Sequence, residues 1–272
     1  MTRADATADN GGPVKIEPAS TSVRRALQLL DCFRIAGPCL GVSEIARISG
    51  LPKSTAFRLL GHLERGGFVE RHEGGYRVSL RVFELGSHII TSQHAGMREA
   101  CFPYLVDLHV RTEQTVHLGV LEGADVVYLE KIHGHNSRPT PTALGTRMPA
   151  HCVALGKAIL AFSSAEKRNA VLAGPLTRRT PFSIVEPGRL GRNLEQIRSS
   201  GLALDREECA LGLVCVAAPL LDGDTAWGAI SVSGGSHMLD VRVCGTHVAA
   251  TAARVNSISR LLQQSSDTEL LG

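Results

Sequence analysis

Apolar side chains at Ala56, Leu59, Leu60 and Leu63 fall at i, i+3, i+4 and i+7, a spacing that predicts a helix with one packed face. Lys53, Ser54, Thr55 and Arg58 take the rest of its first turns, so the opposite face is polar and cationic. Just upstream, Ser43 reads as the N-cap of a shorter helix that buries Ile45, Ala46 and Ile48. Gly50 supplies the turn, Pro52 blocks continuation, and the second helix opens at Ser54. Residues 23–35 carry Val23, Ala26, Leu27, Leu30 and Phe33 at helical spacing and predict a third helix. After Gly66 and Gly67 the period shortens to two: residues 68–71 and 76–78 read as strands of a hairpin with a glycine-rich tip at 72–75. A helical pair followed by a hairpin is the order of a winged helix.

The longer remainder alternates helix and strand. Residues 82–96 place Val82, Leu85, Ile89 and Ile90 on one side of a helix, and a second helix is expected over 97–110. Strands are expected at 115–121, 126–132, 213–219 and 226–233, helices at 150–162, 164–172, 187–200 and 240–263. This order predicts an α+β domain with a mainly antiparallel sheet and flanking helices. The expected division is a disordered tail at 1–20, a winged helix-turn-helix at 21–81, a linker helix at 82–96 and a second domain at 97–272.

Charge separates the two parts. Residues 22–82 hold ten Lys/Arg against five Asp/Glu, a net +5, while residues 83–272 hold 17 against 18; the whole-chain value of +3 hides this. A local cationic excess beside a polar helix face implies a polyanion partner, since neutralising phosphates releases counterions. The bland alternative is an ordinary helical hairpin whose charged face is merely wet. No segment has the apolar length of a membrane span and the N-terminus has no signal core, so a cytoplasmic protein is expected. The seven cysteines form no CxxC pair, which predicts reduced, mostly buried thiols rather than a disulfide framework.

In the second domain, strand alternation puts Leu213 and Cys215 on one face and Ser231 and Ser233 on one face of another strand. If the strands are near neighbours, a thiol and two hydroxyls line one concavity that suits a small polar molecule. The helix expected to open near Ala150 offers free N–H groups to an organic carboxylate, and Asp205, expected in the turn before the strand, either accepts from a ligand hydroxyl or closes the rim. Two rival classes remain. An enzyme would need more than Gly156-Lys157, because His151 stands where a phosphate-binding loop has its leading Gly and Ala158 where it has Ser or Thr. His151, Cys152, Cys209 and Cys215 lack compact metal-ligand spacing, so no catalytic residue, metal or cofactor is expected. The second rival is a ligand-independent DNA-binding protein whose second domain only oligomerises.

Five motifs, in order, carry a resemblance: SVRRALQLL at 22–30, LPKSTAFRLL at 51–60, HCVALGKAILA at 151–161, DREECALGLVCVAAP at 205–219 and AISVSG at 229–234. Together they resemble the IclR (isocitrate lyase regulator) family of bacterial transcription regulators over about residues 20–265. The resemblance implies a winged helix, a linker helix and a GAF-like domain that binds a small effector, in dimers or paired dimers on a palindromic operator, most often as a repressor. It implies DNA contacts at Arg24, Arg25, Ser43, Lys53, Ser54, Thr55, Arg58 and Arg77. Effector contacts are implied at Ala154, Leu155, Asp205, Leu213, Cys215, Ser231 and Ser233, with residues 140–148 as a lid or wall. One departure lies in the wing, where Ser79 follows Arg77 and Val78 at a position the family usually gives to glycine.

Overall fold

The computed structural model describes residues 21–92, 95–134, 140 and 142–269, with 87–92, 95–97 and 258–269 described by backbone alone. The expected tail at 1–20 lies outside the described residues. The chain divides into two compact units, residues 1–93 and 94–272.

In the first unit, α1 (Ser22–Ala36), β1 (Cys39–Leu40), α2 (Val42–Ser49), α3 (Lys53–Arg65), β2 (Val69–His72) and β3 (Gly75–Val78) are followed by α4 (Leu80–Ser92). Its core joins Leu29, Cys32 and Phe33 of α1 to Ile45 of α2, Leu59, Leu60 and Leu63 of α3, and Val69 and Tyr76 of the hairpin. The α3 stripe is buried as its spacing predicts. The α1 face is buried only in part: Phe33 is buried and Ala26 and Leu30 pack against the core, but Val23 is 71% and Leu27 56% exposed, while Gln28, Leu29 and Cys32 are buried instead. Gln28 enters the core because its Nε2 donates to the Ser49 carbonyl, 3.2 Å away at the end of α2. β1 joins the wing antiparallel to β3, giving the order β1-β3-β2. The approach is close, since a Cβ at Gly75 would stand 2.8 Å from the Leu40 carbonyl oxygen.

The second unit comprises α5 (Ala95–Thr112), β4 (Thr115–Glu122), β5 (Asp125–Ile132), β6 (Arg147–Pro149), a 3₁₀ turn (Ala150–Cys152), α6 (Ala154–Ala161), α7 (Ala165–Ala173), α8 (Pro187–Ser200), β7 (Ala203–Arg206), β8 (Leu213–Asp222), β9 (Thr225–Gly235) and α9 (Val241–Glu269). Among the described residues its strands form one antiparallel sheet, ordered β6-β5-β4-β9-β8-β7. Alternation sorts the sheet into two faces. Val116, Leu118, Val214, Val216, Ile230 and Val232 pack against Leu105 and Leu108 of α5 and Val248, Ala252 and Val255 of α9. Tyr128, Ala217 and Ala229 pack on the other side, against Leu155, Ile159 and Leu160 of α6 and Leu190, Leu194 and Ile197 of α8.

Two expectations here are corrected. The helix expected from Ala150 is broken at Val153, whose φ of −118° and ψ of 143° are extended, so α6 opens only at Ala154. Asp205 lies not in a turn but in the edge strand β7, opposite Cys215 of β8. Edge pairing overrides the weak strand preference of Asp there.

Candidate nucleic-acid interface and ligand cavity

α2 ends at Gly50, held at φ 68° in the left-handed region that favours glycine. Pro52 stands at the N-cap of α3, φ −56°, and its carbonyl accepts from Ala56 N at 2.9 Å. This turn presents the start of α3 outward: Lys53, Ser54 and Arg58 are exposed and Thr55 is half-buried. Neither Lys53 nor Arg58 makes an ion pair among the described residues, so both charges are free to meet an external anion.

Ser43 is not the cap expected of it. The helix begins at Val42 after Gly41 with no side-chain cap, and Ser43 is an exposed first-turn residue. Arg24 is exposed and Arg25 half-buried at the start of α1, where Thr21 Oγ1 caps the helix by accepting from Arg24 N at 3.3 Å. Arg77 is exposed on the wing, but its Nε donates to Glu70 Oε1 at 2.5 Å across the β2–β3 register. Ser79 replaces the usual glycine by closing the wing: its N donates to the Phe68 carbonyl at 3.0 Å and its Oγ to the Gly67 carbonyl.

The seven residues assigned to the effector converge in the second unit. Ala154, Leu155, Asp205, Leu213, Cys215, Ser231 and Ser233 all line one cavity. The strand register explains why: Asp205 pairs with Cys215, Cys215 with Ser233 and Ala217 with Ser231, so their side chains share a face. His117, Tyr128, Thr140, Thr142, Val153 and Cys209 complete the wall. The space between the lining atoms is about 350 Å³. Of the expected lid at 140–148, Thr140 and Thr142 reach the cavity, residues 147–149 form β6, and residue 141 lies outside the described residues. A wider groove beside α7 and α8 contains none of these residues.

Burial controls the electrostatics of the cavity. Asp205 is 1% exposed, and burial lifts its carboxyl to about 7, with the Lys157 charge pulling the other way. Its Oδ1 accepts from Glu208 N at 2.7 Å and Cys209 N at 3.4 Å, which ties the end of β7 to the loop that follows. Burial first, then the charges of Lys131 and His133, hold the His117 imidazole down to about 3. The neutral ring lies 2.8 Å from Thr142 Oγ1 through Nε2 and meets the Tyr128 ring edge-on at 5.1 Å. Lys131 Nζ donates to the Thr142 carbonyl, and the Thr140 and Thr142 hydroxyls are 2.9 Å apart, so His117 is the inner anchor of these two threonines. Burial also keeps the Cys215 thiol and the Tyr128 phenol protonated, so both are neutral donors.

Behind the cavity, Lys157 is fully buried and its Nζ lies 2.5 Å from Glu208 Oε1. The lysine of the apparent phosphate-loop motif is therefore an internal ion-pair partner. His151 is likewise structural, its Nε2 lying 3.0 Å from the Thr177 carbonyl oxygen. Among the described residues no group of three or more His, Cys, Asp or Glu side chains is placed to hold a metal ion. The wall residues missed in the sequence are His117, Tyr128, Val153 and Cys209. Period two places His117 on a strand face, but only the β4–β9 pairing brings it opposite Ser231.

An N-terminal winged helix with an exposed cationic helix face, followed by a domain whose cavity carries Asp205, Cys215, Ser231 and Ser233, fits a DNA-binding regulator with a ligand-binding domain. Residues 22–73 match the IclR helix-turn-helix domain and residues 90–260 the bacterial transcriptional regulator IclR C-terminal domain. The chain belongs to the IclR family of DNA-binding transcription regulators. It is 36% identical over 206 residues to the HTH-type transcriptional regulator XynR of Escherichia coli, covering 75% of this chain and 81% of that one. To the HTH-type transcriptional repressor AllR of Escherichia coli it is 29% identical over 237 residues, 84% of this chain and 87% of that one. Among solved structures, Thermotoga maritima IclR matches at TM-score 0.72 and 30% identity, over 87% and 97% of the two chains. An IclR homologue from Microbacterium hydrocarbonoxydans complexed with 4-hydroxybenzoate matches in fold at TM-score 0.79 and 24% identity, over 89% and 100%. No helix among the described residues is long and apolar enough to cross a membrane.

Proposed function

We propose that the protein is a cytoplasmic repressor that binds a palindromic operator as a dimer or pair of dimers and is controlled by a small organic acid. Residues 21–81 act as the DNA-binding domain, 82–96 as the linker helix and 97–272 as the effector domain. Lys53 and Arg58 engage phosphates or guanine edges in the major groove, and Ser54 and Thr55 fix the helix by short hydrogen bonds. Arg24, Arg25, Ser43 and Arg77 add contacts around them. Arg77 leaves Glu70 to do so.

The observation that carries this reading is the convergence of Asp205, Cys215, Ser231 and Ser233 on one buried cavity. Ser233 Oγ already donates to the Thr115 carbonyl at 3.4 Å, and a polar guest adds further partners for the hydroxyls that face the cavity. A carboxylate guest is supported by the neutral donors Ser231, Tyr128 and Cys215 in the wall, and by the N-terminal turn of α6, whose Ala154 and Leu155 line the same cavity. The protein acts by binding rather than by catalysis. The effector must prefer one arrangement of two DNA-binding domains over another, because a ligand of equal affinity for both shifts nothing. The linker helix is the lever.

The test is a thermal-shift panel of small carboxylates, 4-hydroxybenzoate among them, followed by operator titration with each stabilising compound. A saturable stabiliser that weakens operator binding supports the reading. A panel without stabilisers and with unchanged operator affinity favours a ligand-independent DNA-binding protein, and turnover of any compound favours an enzyme.

A further inference from the structure

The apolar residues of α3 divide into two kinds. Ala56, Leu59, Leu60 and Leu63 are at most 9% exposed, whereas Phe57 is 53% exposed. A single exposed apolar side chain is ordinary on a protein surface. Phe57 differs in where it stands: four residues after Lys53 and three after Ser54, it shares the outer face of α3 with them, on the side towards the wing. One turn further on is Gly61, which has no side chain, and a Cβ there would meet only the Arg65 guanidinium at 3.8 Å. No side chain at Gly61 therefore covers the ring on that side. Arg71 of β2 braces one side, its guanidinium carbon 5.8 Å from the Phe57 ring centroid and 4.4 Å from that of buried Tyr76.

A second copy of this face is a poor occupant, since Lys53, Arg58 and Arg71 would oppose their own kind. Duplex DNA supplies the opposite charge. The first turns of a recognition helix contact base edges, and the one apolar group the major groove offers there is the thymine 5-methyl. We propose that the Phe57 ring packs against the 5-methyl group of one thymine in each operator half-site, so that this side chain sets a sequence preference the charged residues cannot. Lys53 and Arg58 bring the helix to the groove, and the ring discriminates thymine from cytosine by an apolar contact.

The test uses the full chain to select a duplex from a random-sequence pool, then replaces each thymine singly by deoxyuridine, which removes only the methyl. Dissociation constants are measured by fluorescence anisotropy for the wild type, Phe57→Ala and Phe57→Leu. One position per half-site should weaken wild-type binding about fourfold on losing its methyl, the loss expected for one buried methyl-sized group. Phe57→Ala should bind the thymine duplex more weakly by a similar factor and be indifferent to the replacement, while Phe57→Leu retains part of the discrimination. The proposal is overturned if no replacement affects the wild type, or if Phe57→Ala responds as the wild type does. A pool that enriches no duplex would instead defeat DNA binding itself.

Discussion

Lys157 and Glu208, 51 residues apart in the chain, meet with Nζ and Oε1 at 2.5 Å inside the second unit, the lysine fully buried. The pair anchors α6 to the loop after β7, and so fixes two walls of the cavity. Glu208 Oε2 has no hydrogen-bond partner, so the carboxylate depends on this one cation. Replacing Lys157 by Met leaves a buried, uncompensated charge and should cost about 3–5 kcal/mol. Lys157→Met with Glu208→Gln should recover much of it. Urea unfolding followed by the fluorescence of Trp227, the single tryptophan, reads the second unit directly.

Gly156 predicts a second stability effect. A Cβ there would overlap the backbone of Ala150, which the 3₁₀ turn folds over α6. Backbone cannot yield as a side-chain tip can, so Gly156→Ala should destabilise by about 3 kcal/mol, the upper end of overpacking costs. The same Trp227 unfolding curve checks it, and a midpoint equal to wild type would contradict the contact.

Asp205 and His117 predict opposing pH dependences from one cavity. The Asp205 carboxyl, raised to about 7 mainly by burial, holds a proton in the folded state that the unfolded chain releases near its ordinary value of 3.8. Its contribution is therefore present at acid pH and lost as pH rises from about 4 through 7. His117, lowered to about 3, is neutral when folded, so its contribution is present above its ordinary 6.5 and lost as pH falls from there towards 3. Each slope is about 1.4 kcal/mol per pH unit where one proton is exchanged, and the two oppose each other between 4 and 6.5. Asp205→Asn should leave the acid loss from His117 uncompensated, so its melting temperature should fall more steeply than wild type between pH 6.5 and 4. Parallel profiles would contradict the Asp205 assignment.

The Glu70–Arg77 pair on the wing predicts a gain. Glu70→Gln frees Arg77 for a phosphate and removes a repelling charge, so DNA affinity at low salt should rise several-fold. The log–log salt slope should steepen by about one unit. An unchanged slope would mean that Arg77 does not reach the duplex.

The α3 face was legible because Ala56, Leu59, Leu60 and Leu63 follow a single helical period, with Phe57 the one large apolar residue of the helix off it. On α1 the apolar positions overlap two faces. The true one includes Gln28, whose burial rests on a bond to Ser49 that no local pattern contains. The short strands β1, β6 and β7 escaped for a related reason: two to four residues carry too little alternation, and Asp205 argues locally for a turn. In the cavity, Leu213, Cys215, Ser231 and Ser233 were found by period two within their own strands. His117 and Tyr128 join them only through the order of five strands, which is a non-local fact. Phe57 stood in the quoted motif, but its exposure became visible only with the helix packed.

The central claim is that the outer face of α3 lies against duplex phosphates. The salt dependence of DNA binding by Lys53→Ala tests it most directly, measured by anisotropy on a duplex selected by the wild type. Binding should weaken evenly on specific and random duplexes, with the log–log salt slope reduced by about one unit. Affinity and slope both equal to wild type would contradict the account.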